Sequence, residues 1–92
     1  MIHTIVRHKV KDYEKWKSAF DGNSAARKAG GEKGGRLFHN VDDGSEVIIY
    51  LRWDTMENAR KFYNSEDLKS VMQKAGVSEK PDIYFLEEVE SV

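Results

Sequence analysis

The sequence predicts an α+β domain in the order βαββαβ, a four-stranded antiparallel sheet with helices on one face. Four segments have strand composition, His3 to Val6, Leu37 to Val41, Glu46 to Leu51 and Asp82 to Leu86, and the two long stretches between them have helical spacing. At least three of the strand segments carry apolar side chains on both alternating faces. Such a sheet needs two covers, and the chain holds helix enough for one layer. The second cover expected is another copy of the molecule.

Each element has a local reason. Ile2 to Val10 alternates as the first strand. Asp12 can cap a helix running to about Ala29, with the stripe Tyr13, Trp16, Phe20 at helical spacing and Gly30-Gly31 as its stop. Arg36 to Val41 reads as the second strand, Asp42-Asp43-Gly44-Ser45 as a turn, and Glu46 to Trp53 as the third strand of a hairpin. Asp54 opens a second helical region with Glu57 at the capping-box position, and Ser65 restarts it as a helix bearing Leu68, Val71, Met72 and Ala75. Gly76 ends that helix. Pro81 introduces a last strand, Asp82 to about Glu90, at a place where its missing N–H does least harm. Right-handed crossovers then put both helical regions on one side. Residues 1–92 form one domain, without linker, repeat or low-complexity tract.

Hairpin register sorts residues by face. Pairing Val41 with Glu46 sets Phe38 opposite Ile49, Asn40 opposite Val47, Leu37 opposite Tyr50 and His39 opposite Ile48. Val47, Ile49, Leu51 and Trp53 are the more apolar row and belong under the helices. Ile48, Tyr50, Arg52 and His39 then look toward a partner subunit.

Composition narrows the function. A chain of 92 residues is marginal as a lone core, and with no Cys it has no disulfide, so association is the expected stabiliser. Fifteen Lys and Arg against 16 Asp and Glu, both signs interspersed, give a net charge of −1 and no general attraction to nucleic acid or anionic lipid. No segment reads as a signal peptide or membrane span, so the expected location is the cytoplasm.

The stretch from Glu46 to Phe62, EVIIYLRWDTMENARKF, followed by Ser65-Glu66-Asp67-Leu68, resembles the strand-Trp-acid-helix signature of the dimeric α/β-barrel superfamily, which is ferredoxin-like in topology. Within it the sequence is most similar to the antibiotic-biosynthesis-monooxygenase-like proteins and small cyclase-like proteins. The resemblance implies a homodimeric barrel and a small-molecule enzyme that uses no cofactor on an aromatic or polyketide-like substrate. The alternative is a non-catalytic metabolite-binding or stress-related homodimer of the same fold. Trp53 matches a Trp that lies by the substrate cavity in monooxygenase-like relatives. Haem-degrading relatives carry a His on the following helix, where this chain has Phe62 and Tyr63, so haem chemistry is not implied.

Site candidates follow from faces and residue types. Continuing the Tyr13, Trp16, Phe20 stripe reaches Asn23, Ser24 and Arg27, so an apolar stripe turns polar in its second half. Over a sheet row of Phe38, Asn40 and Trp53 it would wall a small-ligand cavity that Tyr63 also borders. The plainer and commoner reading has Gly22 perturbing the helix and Arg27 running along its stem to solvent. Trp16 and Trp53 likewise suit either ligand stacking or, more commonly, core packing. His8 and His39 are the candidate proton-transfer groups, with Arg7, Arg27, Arg36 or Arg52 to hold a carboxylate or enolate oxygen. His3 and His8 point to opposite faces of one strand and cannot share a metal ion, so no metal site is expected. The glycine-rich run from Gly30 to Gly35 follows a helix and precedes a strand, the reverse of a phosphate cradle, and reads as a flexible connection.

Overall fold

A computed structural model describes residues 1–77 and 80–92. The elements are β1 (Ile2–Lys9), α1 (Tyr13–Gly22), α2 (Ser24–Ala29), β2 (Glu32–His39), β3 (Glu46–Trp53), α3 (Met56–Tyr63), α4 (Glu66–Lys74) and β4 (Asp82–Glu87). The four strands form one antiparallel sheet in the order β2-β3-β1-β4, the ferredoxin-like arrangement expected from the βαββαβ pattern. No helix among the described residues is long and apolar enough to cross a membrane.

Period-two alternation builds the core. On β1 the residues Thr4, Val6 and His8 are buried, and they lie opposite Leu51, Ile49 and Val47 of β3. The row Val47, Ile49, Leu51 and Trp53 is buried under the helices, as its hydrophobicity predicts. Trp16 of α1 and Ala59 of α3 complete this layer, with Ala75 just beyond α4. The opposite face shows Ile5, Phe38, Ile48, Tyr50, Tyr84 and Leu86, and no element among the described residues covers it.

Side-chain caps start three of the four helices. Asp12 accepts from Lys15 N at 3.2 Å, Thr55 from Asn58 N at 3.1 Å and Ser65 from Leu68 N at 3.1 Å. The cap of α3 is therefore Thr55, and Glu57 is not three residues beyond it. Asp54 instead accepts from Thr55 N at 2.7 Å and Asn58 Nδ2 at 2.9 Å, which hold its carboxylate below the usual range. The first helical stretch is two helices, broken at Asn23, so the polar half of the stripe changes direction.

The second strand differs most from expectation. It starts at Glu32 and ends at His39, so the last four of the six residues of the glycine-rich run are sheet rather than free connection. A one-residue bulge lies between Glu32 and Gly35. Gly35 is required there, because a Cβ would stand 1.9 Å from Tyr50 O. The register is also shifted by one: Leu37 lies opposite Ile49, Phe38 opposite Ile48 and His39 opposite Val47. Asn40 and Asp43 are the cause. Asn40 Oδ1 accepts from Asp42 N at 2.8 Å and Asp43 Oδ1 from Ser45 N at 3.0 Å, wrapping a loop that takes in Val41. A one-residue slip exchanges faces. Phe38 thus goes to the open face and His39 to the helix side. The last strand ends at Glu87, short of Glu90.

Candidate functional site

A cavity of about 60 Å³ lies between the sheet and the helices. Val6, Ile49, Leu51 and Ile83 form its floor, Trp16, Ala19 and Phe20 one wall, and Leu68, Val71 and Met72 of α4 another. His8, Asn23, Arg27 and Tyr63 bring polar atoms into this lining. Five expected site residues, His8, Trp16, Asn23, Arg27 and Tyr63, are therefore gathered here. Phe62 borders it as well.

His8 is the unusual member. It is 4% exposed, stands edge-on to Trp16 at 5.5 Å, and neither ring nitrogen has a hydrogen-bond partner among the described residues. Burial pushes its pKa down to about 4, so the imidazole is neutral at pH 7. A buried polar group without a partner is destabilising by roughly 1–3 kcal/mol, so His8 is a polar group of this lining with hydrogen-bonding capacity to spare.

Arg27 does not run out to solvent. The break at Asn23 turns α2 so that Arg27 folds back over α1, with its guanidinium 3.9 Å from the Phe20 ring centroid and donating to Phe20 O at 2.6 Å. Its Nε faces Glu32 Oε1 at 3.3 Å, and both side chains are less than a tenth exposed. Glu32 Oε2 in turn accepts from Gly34 N at 3.1 Å. The one cation lining the cavity among the described residues is thereby engaged within the protein. Arg7 and Arg52 are also engaged elsewhere: Arg7 bridges Glu46 and Asp82, and Arg52 donates to Lys33 O.

Tyr63 belongs to a buried hydrogen-bonded chain. Trp53 Nε1 donates to Thr4 Oγ1 at 2.9 Å, and Thr4 Oγ1 lies 2.8 Å from the Tyr63 hydroxyl. Burial raises the Tyr63 pKa, against the hydrogen bonds from Thr4 and Trp53, so the phenol is neutral. Trp53 itself has no exposure and packs on Phe62 and Tyr63, outside the cavity lining.

The other expected site residues lie away from the cavity. Phe38 is half exposed on the open sheet face, Asn40 wraps the β2–β3 loop, and His39 is exposed beside Tyr13. Sequence reasoning missed Thr4 and Glu32. Thr4 shares the period-two row of Val6 and His8, a usable signal; Glu32 sits in the glycine-rich run, where nothing in the pattern marks a buried acid.

Comparison with known proteins agrees with this geometry at the level of architecture. A proposed antibiotic biosynthesis monooxygenase from Bordetella bronchiseptica superposes with a TM-score of 0.79 over 97% of each chain, at 16% identity. This is the fold of the antibiotic-biosynthesis-monooxygenase-like proteins. A second such protein, from Nitrosomonas europaea, gives a TM-score of 0.74 over 98% of this chain and all of the other, at 17% identity. A variant of SnoaB, a cofactor-independent oxygenase from Streptomyces nogalater, gives 0.75 over 99% and 95%, at 14% identity. No protein-family model and no curated protein sequence matches the chain.

Proposed function

We propose that the chain is a cofactor-independent enzyme for an aromatic or polyketide-like molecule, bound in the cavity in each subunit of a homodimer, with His8 as the proton-transfer group. One observation carries this reading: a neutral imidazole, unpartnered at both nitrogens among the described residues, in the wall of a mainly apolar cavity. The architecture shared with SnoaB supports an oxygenase over other chemistries.

The chemistry such a site can perform is proton removal beside a carbonyl, followed by reaction with dioxygen. His8 takes a proton from an activated C–H, and the carbanion adds O₂ to give a peroxide anion. That anion recovers the proton from His8, and loss of water leaves a carbonyl where a CH₂ stood. Imidazolium is disfavoured in the empty cavity. An anion formed against it raises its pKa, so the proton moves only while the ion pair stays together.

A cavity of 60 Å³ is smaller than one aromatic ring requires, since benzene occupies an engineered cavity of about 150 Å³. Helix α4 is the wall that can yield. It places Leu68, Val71 and Met72 on the cavity, yet none of its residues is fully buried.

Anthrone with dissolved oxygen tests the reading, with anthraquinone formation as the readout. Acceleration over buffer that falls by roughly 100-fold in His8→Phe is the expected result. Binding of anthrone without turnover would replace it by the second reading, a metabolite-binding homodimer. That reading draws on the engagement of Arg27 and Tyr63 with protein partners, which leaves His8 as the one acid–base group of the lining without any partner among the described residues. Absence of both binding and turnover would overturn the site.

A further inference from the structure

The hydrogen-bonded chain behind the cavity has one hydroxyl hydrogen more than it has protein acceptors among the described residues. Thr4 has no exposure, and its hydroxyl meets two partners among the described residues, Trp53 Nε1 and the Tyr63 hydroxyl. An indole N–H only donates, so Thr4 Oγ1 accepts from Trp53. The hydrogen that Thr4 itself carries then has one acceptor, the Tyr63 oxygen. Tyr63 can equally donate to the second lone pair of Thr4 Oγ1, so among the described residues one of the two hydroxyl hydrogens is left without an acceptor, and with Thr4 as donor it is the phenolic one. The ring bearing it lines the cavity.

Charge in the same cavity is closed off. Among the described residues Arg27 is the one Lys or Arg in the lining, and Glu32, Phe20 O and the Phe20 ring occupy its guanidinium. An anionic ligand would lose its hydration and meet no free counter-charge.

We propose that Tyr63 is the specificity residue of this cavity, donating its hydroxyl hydrogen to the carbonyl oxygen of a neutral ligand, and that the Arg27–Glu32 pair turns carboxylates away. This inference rests on the reading of the cavity as a ligand site. Tyr63 acts here in binding and recognition, with Trp53 and Thr4 as positioning residues that aim its hydrogen.

Calorimetric titration with three phenols of similar size separates the possibilities: 4-hydroxyacetophenone, 4-ethylphenol, which lacks the carbonyl, and 4-hydroxybenzoate, which is an anion at pH 7. The ketone is expected to bind about tenfold tighter than 4-ethylphenol, the yield of one good hydrogen bond, and the benzoate more weakly than either. In Tyr63→Phe the advantage of the ketone disappears while 4-ethylphenol binds as before. In Glu32→Gln, which uncovers Arg27, the benzoate alone gains affinity. A Tyr63→Phe protein of unchanged circular dichroism that keeps the ketone preference overturns the assignment to Tyr63. Benzoate binding as tight as that of the ketone in the unmodified protein overturns the exclusion of charge. Failure of all three to bind the unmodified protein removes the ligand site, and this inference with it.

Discussion

At the scale of residues, His8 couples the fold to pH. Its folded-state pKa of about 4 lies below the unfolded value near 6.5, so between these limits the unfolded chain binds the extra proton. The contribution is fully present above about pH 6.5 and is lost as pH falls toward 4, with an upper magnitude of roughly 3 kcal/mol. Urea unfolding at pH 7 and pH 5 should show a marked loss at the lower pH, and His8→Phe should flatten the difference. Arg27 makes a second residue-scale case. Arg27→Ala strands Glu32, 8% exposed, without its counter-charge and should cost about 3–5 kcal/mol, whereas replacing both partners by apolar residues of similar volume should cost much less. A double-mutant cycle on thermal unfolding reads that contrast directly. A solvated Arg27 would show neither effect.

Among the elements, β2 and α4 differ in how tightly they are held. Gly35 lies where the β3 backbone approaches so closely that any Cβ meets Tyr50 O and Leu51 Cα. Gly35→Ala should therefore cost on the order of 3 kcal/mol or slip the hairpin register, seen as a lowered melting temperature and altered amide shifts across Leu37–His39. Helix α4 is the opposite case: it has an N-terminal cap from Ser65 and an apolar stripe but no fully buried residue. Ser65→Ala should cost about 1 kcal/mol, and amide exchange in the native protein should be faster in α4 than in β1 or β3. Of the helices that wall the cavity, α4 is thus the one best able to move for a ligand.

For the whole molecule, the uncovered sheet face dominates. Ile5 lies between Tyr50 and Tyr84, with Phe38 beside Ile48 and Leu86 beside His3, while Arg7 ties β1 to Glu46 and Asp82 at one end. Phe38, Tyr84 and Leu86 are 51%, 53% and 40% exposed, an apolar patch of the kind that marks an interaction surface. The expected partner is a second copy. Phe38→Asp should leave the fold intact, because Phe38 is half exposed in the single chain, and shift sedimentation equilibrium from dimer to monomer. A monomeric parent protein in the same measurement would refute the pairing.

The buried face of β3, helix caps at Asp12 and Ser65, and the order of elements were all legible in the sequence, because alternation, helical spacing and capping chemistry act over a few residues. So was the clustering of Trp16, Asn23 and Arg27, which one helical stripe places together. Register was not legible, because Asn40 and Asp43 lengthen the loop by one residue and so send Phe38 and His39 to the faces opposite those expected. The fates of Arg27 and Trp53 were not legible either. Whether an arginine reaches water or folds back on a buried glutamate, and whether a tryptophan faces a ligand or a threonine, depends on partners 5 and 49 residues away. Short-range pattern determined the fold of this protein, while only the packing of distant segments decided which of its polar atoms are satisfied and which, at His8, are left open.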